Sequence, residues 1–161
     1  MIEDAAPQMN VFLEPDPTRK RELQGHLTAM LPDWFGQPES NAKYAAQAEI
    51  LDGYIGDREG VRRGMLLIKW SSPVSAEVYW MGVDPAYHRS GLGRALMAAA
   101  IEAARKRGVR YLFVMTLHPD IQYEPYQRTR RFYEAMGFVY VLEEQFPANP
   151  EGPTAYYLKQ L

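Results

Sequence analysis

The sequence of 161 residues contains no cysteine, which excludes disulfides, thiolate metal ligands and a cysteine nucleophile. Its histidines, His26, His88 and His118, are isolated and lack the spacing of metal ligands, so we expect no metal site. No run approaches the roughly 18 apolar residues of a membrane span, and the acidic, polar first residues have no apolar core like that of a signal peptide. We therefore expect a cytoplasmic protein with no membrane partner.

The chain also lacks an excess of basic residues. Its 18 Lys and Arg residues are outnumbered by 20 Asp and Glu residues, for a formal net charge of -2. A protein that binds nucleic acid through the phosphates carries the opposite imbalance, so we expect no nucleic-acid partner. The length suits a single core, and no linker or repeat divides it. We expect one domain over residues 1–161.

Apolar patterning along the chain alternates between strand-like and helix-like segments. The predicted order is β-α-α-β-β-β-α-β-α-β-β, which indicates an α/β (α+β) domain around a mixed, mostly antiparallel sheet. The clearest helix runs from Leu92 to Arg107, and Gly108 suits a left-handed C-terminal cap. We also expect Ser40 to cap the second helix and residues 57–60 to form a hairpin turn.

A glycine-rich turn, HRSGLGR, connects the strand-like segment EVYWMGV to this helix. Backbone N–H groups at a helix start lack intrahelical partners and, with the helix dipole, favour an anion such as a pyrophosphate. Gly91 and Gly93 allow the backbone to approach phosphates closely, and Arg89 and Arg94 add positive charge. The alternative interpretation is a tight turn with solvated arginines.

This turn resembles the pyrophosphate loop of the GNAT superfamily of acyl-CoA-dependent N-acyltransferases, Gln/Arg-x-x-Gly-x-Gly/Ala. Gly91, Leu92 and Gly93 match the motif, and His88 stands in the Gln/Arg position, where it can still donate a hydrogen bond. The order of predicted elements agrees with the same family along most of the chain.

A second GNAT motif, FYE-x-x-GF, ends the helix predicted from Tyr126 to Met136. It is matched by Phe132, Tyr133, Glu134, Gly137 and Phe138. Family members often have an asparagine where this chain has Tyr126. Two motifs on the expected elements are a far more specific signal than a lone Gly-x-Gly.

The resemblance implies acetyl-CoA as cosubstrate, no metal, and a primary amine of a small molecule or peptide as acceptor. It places the coenzyme at the end of the strand EVYWMGV, at the glycine-rich turn and beside the later helix. The implied coenzyme-binding residues are Met81, Gly82, Val83, His88, Arg89, Ser90, Gly91, Leu92, Gly93, Arg94, Ala95, Tyr126 and Arg130. A backbone N–H between Met81 and Val83 is implied as the oxyanion donor. GNAT proteins are frequently dimers, so the resemblance allows a homodimer.

Tyr133 is the candidate general acid. A phenol has a pKa near ~10 against ~8.5 for a thiol, so it stays protonated at neutral pH and can donate to a departing thiolate. The resemblance implies this role, because the family's general acid lies at this tyrosine. The alternative is a core tyrosine that packs beside Phe132.

Glu77 is the candidate general base. Strand alternation places it on the same face as Tyr79, Met81 and Val83. Similar acyltransferases often have a glutamate here that deprotonates the substrate ammonium, directly or through water. The alternative is a solvated glutamate at a strand end.

Three further groups of residues have weaker interpretations. Six aromatic residues either wall an acceptor pocket or pack in the core: Trp34, Phe35, Tyr44, Tyr79, Trp80 and Tyr123. Three arginines, one of them near a phosphate, are interpreted as a solvated helix face: Arg128, Arg130 and Arg131. Glu143 and Glu144 are interpreted as a solvated edge, with orientation of a cationic amine as the alternative. A non-catalytic acyl-CoA sensor on the same fold remains the alternative function.

Overall fold

The computed structural model describes residues 8–147, residue 149 and residues 151–161. The elements follow in the order β1 (Met9–Glu14), α1 (Pro17–Met30), α2 (Pro38–Ile50), β2 (Asp52–Arg58), β3 (Val61–Trp70), β4 (Ser75–Val83), α3 (Leu92–Lys106), β5 (Tyr111–Leu117), α4 (Glu124–Ala135), β6 (Val139–Glu144) and β7 (Thr154–Gln160). A short 3₁₀ turn, Pro85–Tyr87, precedes α3. The predicted order of strands and helices is confirmed.

The seven strands form one mixed sheet in the order β1-β2-β3-β4-β5-β7-β6. Strands β4 and β5 pair in parallel, with Ser75 opposite Tyr111 and Glu77 opposite Phe113. A parallel pair needs a crossover connection, and α3 provides it. The pairs β1–β2, β2–β3, β5–β7 and β6–β7 are antiparallel, which confirms the predicted sheet type.

The described residues group into two compact units, the first of which comprises residues 8–68 and Trp80–Ala100. In this unit the beginning of α3 packs directly on β2 and β3 through Leu92 and Leu96, both fully buried. Gly56 and Gly64 face each other in register at the contact. A Cβ at Gly56 would lie 2.6 Å from Leu92 Cδ1, and one at Gly64 would lie 3.0 Å from Leu96 Cδ1. The two glycines therefore determine how closely α3 approaches the sheet.

The second unit comprises Lys69–Tyr79 and Ile101–Leu161. Its core includes Leu112 and Val114 of β5, Tyr157 of β7, and Phe138. Helix α4 is followed, two residues after its last residue Ala135, by a left-handed glycine, Gly137, with φ of 89°. The chain reversal there carries Phe138 back under the helix, where its ring lies 5.8 Å from that of Tyr133.

Two local predictions need correction. Ser40 does not cap α2, because the helix begins at Pro38 with Gln37 as N-cap, and the Ser40 Oγ instead lies 3.4 Å from Gln37 Oε1. Proline is well suited to the first helical turn, which explains the earlier start. The hairpin turn is confined to Glu59 and Gly60, whose φ values of 55° and 78° are both left-handed, as a two-residue type I′ turn requires.

Within the described part of the chain, no helix has the length and apolarity needed to cross a bilayer. The prediction of one domain over residues 1–161 stays a prediction.

Candidate functional site

The predicted anion-binding turn lies in the first unit, between the end of β4 and the start of α3. Arg89 and Gly91 both have left-handed backbone conformations, with φ of 61° and 88°. The N–H of Ala95 donates to the Gly91 carbonyl at 3.0 Å and so makes the first turn of α3. The N–H groups of Leu92 and Gly93 precede that bond, where a helix has no carbonyl to offer them. The geometry is that of an open helix start, and its role in binding an anion stays a prediction.

Two further features of this turn fit a phosphate ligand. A Cβ added at Gly91 would meet no described atom within 4 Å, so the backbone there faces open space. The hydroxyl oxygen of Ser90 is buried and has no hydrogen-bond partner among the residues that the structure describes. An unsatisfied buried donor costs about 1–3 kcal/mol, which a phosphate oxygen would recover. The donors present therefore suit a pyrophosphate.

His88 makes a contact that the sequence did not indicate. Its Nε2 lies 2.8 Å from the carbonyl oxygen of Val83, so Nε2–H is the donor. The ring also lies edge-on to Trp34, with centroids 6.0 Å apart. His88 thus attaches the turn to the end of β4, and its donation to a phosphate stays a prediction.

Glu77 lies on β4 in the second unit, on the partly exposed face of the strand. The alternation is regular: Ala76 and Val78 are buried, and Glu77 and Tyr79 are partly exposed. Burial raises the pKa of Glu77 above its ordinary value, and the positive charge of Lys69 opposes that rise. A carboxylate with a raised pKa is a better proton acceptor near neutral pH, as a general base requires.

Tyr156 of β7 is a neighbour of Glu77 that the sequence pattern did not single out. Its hydroxyl donates to Glu144 Oε2 at 3.0 Å, and its ring stacks on Phe113 with centroids 6.4 Å apart. The pKa of Tyr156 is raised by burial, by Glu144 and by the charge of Glu77. Glu77, Glu144 and Tyr156 therefore share one electrostatic environment. The proximity of Glu77 to Tyr156 follows from strand register, which places Glu77 opposite Phe113, on which Tyr156 stacks. The sequence pattern does not specify that register.

Tyr133 lies on the buried face of α4, 8% exposed. Its ring contacts Phe132 and Phe138, with centroid distances of 5.7 and 5.8 Å. These contacts agree with the core-packing alternative and leave the general-acid role as a prediction. Removing the hydroxyl while keeping the ring separates the two.

Arg130 is not on a solvated helix face, and that interpretation was wrong for this residue. It is 5% exposed, and its guanidinium donates to the carbonyls of Leu117 at 2.9 Å and Ile121 at 3.5 Å. It therefore ties α4 to the end of β5. Arg128, in contrast, is exposed and pairs with Glu124 at 2.9 Å. Tyr126 lies beside Tyr123, with ring centroids 6.0 Å apart.

The sequence matches the model of the Acetyltransferase (GNAT) family over residues 15–138. This chain belongs to the GNAT family. The turn with Gly91 and the helix with Tyr133 both lie within the matched range, so the family assignment covers both motifs.

Two curated relatives of this GNAT chain are acetyltransferases. The N-alpha-acetyltransferase RimI of Mycobacterium tuberculosis is 33% identical over 95 residues, which are 52% of this chain and 60% of that protein. The mycothiol acetyltransferase of Propionibacterium freudenreichii is 31% identical over 140 residues, which are 79% of this chain and 38% of that protein. The GNAT chain thus spans only part of the length of either relative.

Solved structures share the GNAT fold of this chain. A GNAT-family acetyltransferase from Desulfovibrio desulfuricans superposes with a TM-score of 0.80 at 20% identity, over 95% of this chain and 99% of that chain. A GNAT-family acetyltransferase from Elizabethkingia anophelis, solved with acetyl-CoA bound, gives a TM-score of 0.68 at 12% identity, over 95% and 98% of the two chains. Likeness at these identities establishes the fold.

Phe35 contacts two of the other aromatic residues considered for an acceptor pocket, all three within the first unit. Phe35 stacks on Trp80 at 5.2 Å and meets Tyr44 edge-on at 6.0 Å. Trp80 is buried and Tyr79 partly exposed, so the two project from opposite faces of β4. The described residues contain no cluster of three or more side chains suited to a metal ion.

Proposed function

We propose that this GNAT chain transfers the acetyl group of acetyl-CoA to a primary amine. The observation that carries the proposal is the turn before α3, where left-handed Gly91 faces open space and the buried Ser90 hydroxyl has no partner within the described residues. The names of both curated relatives support acetyl transfer, and the Elizabethkingia anophelis structure supports acetyl-CoA as donor.

The coenzyme's pyrophosphate binds at the start of α3 in this proposal. The N–H groups of Leu92 and Gly93 donate to it, and the exposed side chains of Arg89 and Arg94 add positive charge. Acetyl-CoA supplies an activated thioester, so no metal is needed to polarise the acyl group.

Glu77 and Tyr133 divide the proton transfers of the proposed reaction. Glu77 accepts a proton from the substrate ammonium, directly or through water, and leaves a neutral amine. The amine nitrogen attacks the thioester carbonyl, the C–N bond forms, and a backbone N–H between Met81 and Val83 stabilises the oxyanion. As the C–S bond breaks, Tyr133 gives its proton to the coenzyme thiolate, and the nitrogen of the intermediate gives its extra proton to the resulting phenolate, so the amide leaves neutral and Tyr133 is restored. Glu77 returns its proton to water.

A panel of acceptors tests the proposal against a non-catalytic acyl-CoA sensor. We expect thiol release from acetyl-CoA that depends on one acceptor class and yields an equal amount of N-acetylated product by mass spectrometry. The panel contains small primary amines, peptides with a free α-amine, and lysine peptides with a blocked α-amine. Acetyl-CoA binding by calorimetry without turnover of any acceptor would support the sensor. Absence of binding would reject both functions.

Replacement of Glu77 by glutamine should lower activity and raise stability at neutral pH. Loss of a general base typically costs about 10²–10⁴-fold, and we expect the loss to be largest at acidic pH, where the acceptor is an ammonium ion. Because burial raises the pKa of folded Glu77, its contribution to stability is present at low pH and is lost as pH rises through that pKa. The neutral Glu77→Gln side chain should therefore raise the Tm at neutral pH and leave it nearly unchanged below about pH 4.

Glu102 provides the matched control for this prediction. Its exposed carboxylate pairs with Lys106 at 2.9 Å, which lowers the pKa of Glu102. Glu102→Gln should therefore leave turnover unchanged and give no increase in Tm at neutral pH. A Glu77→Gln protein with a normal pH–rate profile would assign Glu77 no part in proton transfer.

A further inference from the structure

A salt bridge connects β3 with the residue that begins the phosphate-binding turn. Arg63 Nη1 donates to Asp84 Oδ2 at 3.1 Å, and the backbone N–H of Asp84 donates to the Arg63 carbonyl at 2.7 Å. The carboxylate is only 6% exposed and the arginine side chain 31% exposed. Asp84 is thereby held by both its side chain and its backbone.

Asp84 also organises the 3₁₀ turn that follows it. Its second carboxylate oxygen, Oδ1, accepts from the N–H of Ala86 at 2.9 Å. Its carbonyl accepts from the N–H of Tyr87 at 2.8 Å. One residue therefore caps the turn with a side-chain and a main-chain acceptor, while its other carboxylate oxygen faces Arg63.

Arg63 reaches the far end of the same turn. Its guanidinium carbon lies 4.8 Å from the centroid of the Tyr87 ring, a cation–π distance. The Tyr87 carbonyl accepts from the N–H of Ser90 at 3.3 Å, and Ser90 directly precedes Gly91. The contacts therefore run without a break from Arg63 through Tyr87 and Ser90 to the left-handed glycine.

We propose that Arg63 and Asp84 are positioning residues for acetyl-CoA, an inference that rests on the proposed function. The pair holds the turn in the shape in which its N–H groups converge on the pyrophosphate before the ligand arrives. Donors that are already ordered bind without a further entropy cost, so disorder in the turn lowers affinity.

The geometry of the pair is consistent with positioning as well as stabilisation. Arg63 is partly exposed but the Asp84 carboxylate is 6% exposed, so loss of Arg63 leaves a buried charge and also lowers the stability, and the Kd is the readout that isolates positioning. The Nε of Arg63 is also buried without a hydrogen-bond partner among the described side chains and backbone, a cost that a purely stabilising contact would avoid.

Calorimetric titration with acetyl-CoA tests this inference in Arg63→Met, Asp84→Asn and the double variant. We expect each single change to raise the Kd about tenfold, which is about the loss of one hydrogen bond to the ligand. The Kd of the double variant should be no higher than the higher of the two single-variant Kd values, because both changes release the same turn. Arg63→Lys keeps the charge and should recover part of the affinity.

Arg62 provides a matched control on the same strand. It pairs with buried Glu14 at 2.7 Å, and its side chain is 33% exposed, close to that of Arg63. Glu14 accepts from the N–H of Asp16, near the start of α1, and so supports a different turn. Arg62→Met should alter the Tm to a similar extent as Arg63→Met and leave the Kd unchanged.

The outcomes are distinct. A wild-type protein that does not bind acetyl-CoA rejects the proposed function itself. Wild-type binding together with unchanged Kd in folded Arg63→Met and Asp84→Asn rejects positioning, as does an equal loss in Arg62→Met. If Asp84→Asn does not fold, the Arg63→Met and Arg63→Lys proteins, which keep the Asp84 cap, decide the question.

Discussion

Gly91→Val should weaken acetyl-CoA binding by about a hundredfold, the equivalent of losing one or two hydrogen bonds to a charged group. Gly91 has φ of 88°, a conformation that a β-branched residue avoids. The valine either strains the turn or shifts it out of the left-handed region, and in both cases the N–H groups of the turn no longer converge. Calorimetry at a temperature where the variant is folded measures the effect.

The open space at Gly91 makes the cause of this loss specific. No described atom lies within 4 Å of an added Cβ, so the Cβ of the new side chain meets no part of the described protein. The side chain instead enters the space in which we propose that a phosphate binds. We therefore expect the affinity to fall more than the stability.

Gly60→Val is the control for the backbone effect. Gly60 lies in the same unit, has φ of 78°, and also has no described atom within 4 Å of an added Cβ. Both variants should lose a similar amount of stability, about 1–2 kcal/mol for a left-handed non-glycine residue. Only Gly91→Val should lose affinity. Equal affinities in the two variants would reject the phosphate-binding role of the turn.

Tyr133→Phe should lower turnover about tenfold or more if departure of the thiolate limits the rate, because proton donation in the transition state is lost. The ring contacts with Phe132 and Phe138 remain, so packing is largely kept. The Kd for acetyl-CoA should change little, because the proposed pyrophosphate site lies on α3. Turnover, Kd and Tm are measured on one preparation.

Tyr157→Phe is the control for loss of a buried phenol. Tyr157 lies in the same unit, is 2% exposed, and has a pKa raised chiefly by burial. The control should be as active as the wild type. If Tyr133 is only a core residue, Tyr133→Phe will behave in the same way, with a modest fall in Tm and normal turnover.

The sequence by itself determined the order of elements, the sheet type and the family. These features depend on local signals: apolar periodicity, the glycines Gly91 and Gly108 at the two ends of α3, and two short motifs at successive helices. One local signal was wrong, namely the prediction that Ser40 caps α2. Pro38 begins α2 two residues before Ser40, since a proline is as good a start signal as a capping serine.

Only the tertiary structure decided which distant residues support the site. Arg63 meets Asp84 across 21 positions of sequence, and Glu77 shares its electrostatic environment with Tyr156 through the register of β5 and β7. Arg130 of α4 is buried with its guanidinium donating to the carbonyl of Leu117 at the end of β5, although its charge suggests a solvated face. Strand register and packing depend on the free energy of the whole assembled core, so no local pattern specifies these contacts.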